Sequence, residues 1–219
     1  MTQAATTGAA PPLIHWTDNP PDAAALQAVV ALERDGDGWR NRTAHLNVAE
    51  VVLGGQTAAH CLLAAAAGKD GFSPRSMHLT FVAAPKADRR WRLEVEPLRD
   101  GRRFAQRLVR LTQDGQVMVH AAVLLVADNL SAEMAVEYRP PIPALPRPED
   151  LPDRMAQLDD PRLNGVERAM MRSYPYMEIR RVPAEARGRP AGGGARGYYW
   201  LRMPAAAGLD RLTQRALLT

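Results

Sequence analysis

The run Gly54-Gly55-Gln56-Thr57-Ala58-Ala59-His60-Cys61-Leu62-Leu63-Ala64-Ala65-Ala66-Ala67-Gly68 limits most tightly what this chain folds into. Ala and Leu are strong helix formers. Gly68 stands where a left-handed residue ends a helix. Small and apolar residues lie on nearly every side, so the helix has no solvent face and is buried all round. At about 1.5 Å per residue it is on the order of 20 Å long, the length of strands that can wrap it. The run therefore predicts a single buried helix inside a curled antiparallel sheet. Its glycine start leaves backbone N–H groups open to approach.

The flanking segments carry the matching strand and turn signals. Asp22 caps a helix from Ala23 to about Arg34, on the spacing of Leu26, Val29, Val30 and Glu33. Asp35-Gly36-Asp37-Gly38 is a turn, and Trp39–Asn47 is a first strand. Pro74–Ala84 reads as a strand with Met77, Leu79, Phe81 and Ala83 on one face. Trp91–Leu98 alternates, with Trp91, Leu93 and Val95 against Arg92, Glu94 and Glu96. Asp100-Gly101 and Asp114-Gly115 are tight hairpin turns on either side of Phe104–Thr112. Val117–Ala127 is nearly all apolar and suits a central strand buried on both faces.

The ends of the chain differ in character. Residues 1–21 are rich in Ala, Thr, Gly and Pro and form a flexible tail before a domain over 22–128. Arg139-Pro140-Pro141-Ile142-Pro143 and Pro146-Arg147-Pro148 mark a Pro-rich linker over 129–175, with room for a short helix in its acidic stretch. Strands at Met177–Val182 and Tyr198–Met203 then flank the loop Gly188–Gly197, and a helix follows at Leu209–Leu218. This second segment, 176–219, opens as the first one does, with strand and then helix. It is expected to be a truncated copy.

Composition narrows the function classes. Hydrophobic residues make up 46% of the 219, which supplies a core and excludes global disorder. The net charge of +4 is carried by Arg, since Lys69 and Lys86 are the two lysines. The clusters Arg89-Arg90, Arg92, Arg99, Arg102-Arg103, Arg107 and Arg110 make a solvated face balanced by Glu94, Glu96, Asp100 and Asp114. A sharper reading makes them a rim for a phosphorylated ligand. Nucleic acid is not expected, because aromatics are 5% of the chain and none interleave with these arginines. The lone Cys61 permits no internal disulfide, which fits a reducing cytoplasm. Met1–Pro12 lacks the pattern of a signal peptide, and no apolar stretch is long enough to span a bilayer. The expectation is a cytoplasmic protein with no membrane association.

Few residues offer chemistry. Gly54, Gly55 and Gln56 let the helix pack tightly on the sheet, or they form a thioester or phosphate site through exposed N–H groups and the helix dipole. Gln56 orients a water, binds a ligand or caps the helix. His60 lies one turn on from Gln56 and shares its face, and His78 sits on the following strand. Both are substrate-binding candidates, against the plainer reading of satisfied core histidines. His45 and His120 lie in expected strands with no carboxylate spaced to complete a metal site, so neither metal nor cofactor is expected. Cys61 reads as an inert buried thiol.

Several ordered motifs resemble one family. Val51-Val52-Leu53-Gly54-Gly55-Gln56 is similar to the "VFGGQ" helix start of the type II, TesB-like acyl-CoA thioesterases. Leu98-Arg99-Asp100-Gly101-Arg102-Arg103-Phe104-Ala105-Gln106-Arg107-Leu108-Val109 resembles their "LRDGRSFSTRRV" hairpin. Gln113-Asp114-Gly115-Gln116-Val117 resembles the "QNGKVIF" turn, and Tyr199-Trp200-Leu201-Arg202 the "WLR" strand of the second domain. At Phe81-Val82-Ala83-Ala84-Pro85 the chain departs from the family's Arg-Pro-Gly turn.

The resemblance implies an α+β hotdog fold, an antiparallel sheet wrapped around one central helix, with an incomplete second hotdog. It implies hydrolysis of fatty acyl-CoA to free fatty acid and CoA. The family's catalytic Asp, hydroxyl residue and Gln are expected past Thr219. Catalysis by this chain alone is therefore weighed against a non-catalytic acyl-CoA-binding or hotdog-pairing module, or an inactive fragment of a longer thioesterase. Hotdog sheets pair edge to edge, so a homodimer or higher oligomer is expected.

Overall fold

The computed structural model describes residues 9–15, 21–133, 144–172, 174–183 and 197–219. Most of the expected loop Gly188–Gly197, and Arg139–Pro143 of the linker, lie outside the described residues. The described residues fall into two compact units. One gathers those of 1–15, 23–135 and 208–219, the other those of 16–22 and 136–207.

In the first unit a short strand β1 (Leu13–Ile14) precedes α1 (Ala23–Val30), β2 (Leu32–Asp35), β3 (Gly38–Asn41) and β4 (Ala44–His45). The long helix α2 (Gly54–Ala66) follows, then β5 (Phe72–Phe81), β6 (Arg92–Asp100), β7 (Phe104–Gln113), β8 (Gln116–Ala127) and α3 (Asp128–Glu133). Six strands form one antiparallel sheet in the order β2-β3-β6-β7-β8-β5. β1 and β4 make a separate parallel pair. Helix α2 packs on the inner face against β5, β6, β7 and β8. Every residue from Gln56 to Ala66 is buried except Leu63, which is half-buried. Its small side chains allow the close approach of the sheet. Against them the strands set Leu93, Val109, Leu111, Val119, Val123 and Leu125, all buried. The helix ends as the sequence predicts, with Gly68 at φ +69°.

Four elements depart from the sequence reading. The first helix stops at Val30 rather than Arg34. Residues 32–35 pair instead with β3, where Glu33 meets Arg90 and Asp35 meets Arg92 and Arg40. The strand expected over Trp39–Asn47 breaks after Asn41, whose buried side chain donates to Thr43 O at 3.0 Å and accepts from the Trp91 N–H at 2.8 Å. The Asp114-Gly115 turn has both residues at positive φ, 52° and 77°, as a two-residue hairpin needs. Asp100-Gly101 instead opens a three-residue loop before Phe104, with the Asp100 carboxylate drawn to Arg107. Finally, β8 is not buried on both faces. His120 is exposed, and Ala122 and Leu124 are half-buried on the side away from α2.

The C-terminus of α2 is closed by a side chain from the sheet. Arg107 on β7 points inward in phase with Ala105, Val109 and Leu111. It donates to Ala65 O at 2.7 Å and Ala67 O at 2.8 Å, and it forks onto Asp100 at 3.1 and 2.7 Å. A cation there also suits the negative end of the helix dipole.

The C-terminal helix over residues 211–217 belongs to this first unit. In the second unit α4 (Gly165–Arg172) precedes an antiparallel pair, β9 (Glu178–Arg181) and β10 (Tyr199–Arg202). Asn164 and Glu167 cap α4 reciprocally, each accepting from the other's backbone N–H at 2.9 and 2.8 Å. In α5 (Arg211–Leu217), Asp210 is the N-cap, accepting from Leu212 N–H and Thr213 N–H. This helix packs on α2 and α1.

Candidate functional site

The glycine start of α2 opens to solvent. Leu53 is extended, its N–H donates to His45 O at 2.8 Å, and no side chain caps the helix. Gly54 is exposed and Gly55 half-buried. Neither has a positive φ. A Cβ at Gly54 would stand 3.5 Å from the Phe81 ring, and one at Gly55 would meet Leu53 at 4.0 Å, both ordinary contacts. The chain's own packing therefore does not demand glycine at either position. What the two glycines preserve is access to the helix end. Phe81, which is exposed, borders that opening with apolar surface.

Gln56 faces inward. Its carbonyl oxygen accepts the His45 N–H at 2.8 Å, and its amide donates to Val29 O at 2.7 Å and Thr43 O at 3.2 Å. The side chain thus ties α1, the 41–45 bend and α2 together, with nothing turned toward solvent. His60 is equally enclosed. Its Nδ1 accepts from the Trp91 indole N–H at 3.2 Å, which leaves Nε2 to donate to Val29 O at 3.2 Å. These two bonds fix one neutral tautomer. Burial pushes the imidazole down to about 4, against the smaller opposing pull of the Val29 carbonyl. His45 is also pushed down to about 4, first by burial and then by the charge of His15. Cys61 is buried, and burial raises its thiol to about 12, which makes it a poor nucleophile at neutral pH.

The expected site residues therefore separate. Gly54 and Gly55 lie at the open helix end. Gln56 and His60 belong to the frame behind it. His78 is exposed on the outer face of β5, in register with Ala122 and two residues from Thr80, the partner of His120. Half of the Arg run is matched by acids: Arg89 with Asp114, Arg90 with Glu33, Arg92 with Asp35 and Asp37, Arg107 with Asp100. One pair escaped the sequence reading. His15 and Glu50 approach to 4.0 Å beside the loop that leads into α2. No motif joins residues so far apart in the chain.

Residues 42–126 match the family model described as the acyl-CoA thioesterase N-terminal domain. A solved tesB protein of Mycobacterium avium subspecies paratuberculosis is 25% identical over 90% of this chain and 68% of its own, with a TM-score of 0.66. Residues 42–126 thus match an acyl-CoA thioesterase domain, and the chain is similar to TesB proteins over most of its length. The hotdog fold recurs in an acyl-CoA thioesterase II, TesB2, of Mycobacterium marinum, at 22% identity, TM-score 0.67, over 88% of this chain and 66% of that one. It recurs again in a hot dog protein of Alicyclobacillus acidocaldarius, at 23% identity, TM-score 0.66, over 89% and 68%. The chain thus spans about two thirds of the length of these structures. No curated protein matches the sequence. Among the described residues no helix is long and apolar enough to cross a membrane.

Proposed function

We propose that this chain hydrolyses fatty acyl-CoA to free fatty acid and CoA, with the thioester carbonyl seated on the first N–H groups of α2. The observation that carries this reading is the uncapped, solvent-open helix start at Gly54-Gly55 inside a thioesterase-family domain. Oriented N–H groups at a helix N-terminus stabilise the negative charge that develops on the carbonyl oxygen as water adds. Phe81 offers an apolar border for the acyl chain.

Release of free thiol from a medium-chain acyl-CoA tests it, with Gly54→Ala as the informative variant. The added Cβ meets no clash in the free protein, and Ala favours helix by about 0.8–1.0 kcal/mol over Gly. The variant should therefore melt no lower than wild type. The same Cβ intrudes where the carbonyl oxygen would sit, and kcat/KM should fall at least ~10-fold. Absence of thiol release from wild type at high protein concentration overturns the hydrolase reading.

A second reading, acyl-CoA held without turnover, is favoured by the inward lock on Gln56 and His60, neither of which offers a base to a bound thioester. CoA binding with no thiol release would select it. Association is part of either reading. Among the described residues β5 is hydrogen-bonded on one side only, to β8. We propose a homodimer formed by pairing of two such edges. Light scattering should give twice the chain mass, and a strictly monomeric species overturns it.

A further inference from the structure

The half of the Arg run that has no acid against it is not scattered. Among the described residues Arg99, Arg102, Arg103 and Arg110 enter no ion pair, and the first three belong to the β6–β7 hairpin, where all three are exposed. The loop that carries them is held in place. Gly101 N–H donates to Phe104 O at 3.0 Å, and Ala127 N–H donates to Arg103 O at 3.0 Å. Asp100, the acid of this hairpin, is neutralised within the fold by the Arg107 fork at 3.1 and 2.7 Å and by Lys69 at 3.4 Å. The hairpin therefore turns three cations to solvent without a free carboxylate among them.

The sheet adds a fourth. Arg99 is in register with Gln106, Gln106 with Leu124, and Leu124 with Ser76. Arg75 stands beside Ser76 at the bulge in β5, exposed and likewise without an ion pair among the described residues. Four unpaired arginines thus share one end of the sheet. The unneutralised acids there are Asp70 and Asp128, and Asp128 already accepts from Ser73 Oγ at 2.5 Å. Two large apolar side chains stand among the cations and face water. Leu98, next to Arg99, is 51% exposed, and Phe104, next to Arg103, is 41% exposed. Strand alternation sets Phe104 on the face opposite buried Ala105, Arg107 and Val109. A lone exposed Leu or Phe is ordinary on a protein surface. Two of them set between unpaired arginines make a surface that is both cationic and apolar.

We infer that this end of the sheet, the β6–β7 hairpin together with Arg75, is a peripheral docking surface for an anionic lipid bilayer. Clusters of four or more basic side chains are drawn to anionic headgroups. The guanidinium forks bind headgroup phosphate through paired N–H donors, and Leu98 and Phe104 enter the boundary between headgroups and acyl chains. Charge selects this occupant over a second copy of the chain. A two-fold contact centred on the hairpin would set the same arginines against one another, and two apolar side chains fall well below the roughly 800 Å² per partner that a stable protein interface buries. A nucleic-acid strand calls for several stacking rings, and Phe104 is the only exposed aromatic side chain at this end among the described residues. Docking of this kind needs no membrane-spanning helix, and it is independent of whether the chain hydrolyses a thioester.

Co-sedimentation of the full chain with vesicles of equal parts phosphatidylglycerol and phosphatidylcholine tests it. The chain should pellet with these vesicles and stay in solution with phosphatidylcholine alone, and the binding should weaken as salt is raised. Arg102→Ala combined with Arg103→Ala should lower the association constant by ~20-fold or more, since each cation near the surface contributes roughly 5-fold. Phe104→Ser should lower it by ~5-fold or more. A net charge of +4 could attract anionic vesicles anywhere on the molecule, so a control removes two exposed arginines of the second unit. Arg147→Ala combined with Arg162→Ala should change binding by less than ~2-fold. Arg99→Gln decides if the hairpin double variant does not fold. No retention of wild type by the mixed vesicles overturns the docking surface, as does equal retention by phosphatidylcholine or an equal loss in the control pair. Retention by a DNA duplex but not by vesicles assigns the same cations to nucleic acid and overturns it as well.

Discussion

Replacing Arg107 with Met should lower the unfolding free energy by about 3 kcal/mol at neutral pH, the scale for breaking a largely buried, hydrogen-bonded ion pair. The Arg107 side chain is 10% exposed, and its guanidinium serves two purposes at once. It satisfies the carbonyls of Ala65 and Ala67 at the end of α2, and it neutralises Asp100. Met preserves the apolar stem, so the loss isolates the charge and the hydrogen bonds. Lys69, 3.4 Å from Asp100, offsets only part of it. In a chain of this size the melting temperature should drop by roughly 6–12 °C.

The same substitution has a pH signature. The hydrogen bonds from Arg107 lead in holding the Asp100 carboxyl below its ordinary 3.8, against the opposing effect of burial. A carboxyl whose folded value is depressed stabilises the fold above its unfolded value, and that contribution is lost as pH falls through the folded one. The gap between wild type and Arg107→Met should therefore narrow below about pH 4, leaving the share due to the α2 carbonyls. Thermal denaturation of both proteins at pH 7 and pH 3 measures it. Equal melting at pH 7 would show that the end of α2 is held by something other than Arg107.

What the sequence revealed of this fold was local. The Ala-rich run and its closing glycine announced α2 because propensity and termination signals lie within the element. Asp114-Gly115 announced its hairpin because two positive φ angles are a demand of the turn itself. Arg107 was legible only in part. It shares the alternation of Val109 and Leu111, which marks an inward position, but its target is the far end of a helix some forty residues back. The helix over Ala23–Arg34 failed at its last turn for a similar reason. Glu33 follows the helical spacing of Val29 and Val30, yet pairing of residues 32–35 with β3 and ion pairs to Arg90 and Arg92 outweigh a weak local preference. In α4 the Asn164–Glu167 capping box was present in the sequence and pointed to a helix inside the stretch read as linker. The site divided along the same line. Gly54-Gly55 could be singled out from the motif, whereas the His15–Glu50 approach depends on β1 lying beside β4.

The sharpest consequence concerns Gln56, the residue that the motif places next to the glycines. Gln56→Met should destabilise the free protein by about 2 kcal/mol, because the buried His45 N–H loses its side-chain acceptor, a loss of about 1–3 kcal/mol. The side chain is replaced at similar length, so packing changes little. The His45 N–H loses its acceptor at 2.8 Å, whereas Thr43 O, which loses the amide at 3.2 Å, still accepts from Asn41 Nδ2 at 3.0 Å. Val29 O is partly compensated, since His60 Nε2 still donates to it. Gln56→Glu is the stricter probe. It keeps an acceptor for the His45 N–H but turns an anionic oxygen toward the Val29 and Thr43 carbonyls in a buried site. That carboxyl would have a folded pKa above its unfolded value, so Gln56→Glu should be less stable than Gln56→Met at pH 7 and recover ground as pH falls and the acid can donate. Denaturation curves taken without any ligand separate the two roles of this amide. A residue of the frame loses stability in that measurement whatever the substrate. If both variants melt as wild type does and lose only thioester turnover, the amide belongs to the site rather than to the frame, and the inward hydrogen bonds from Gln56 to α1 and the 41–45 bend contribute little to holding α2 in place.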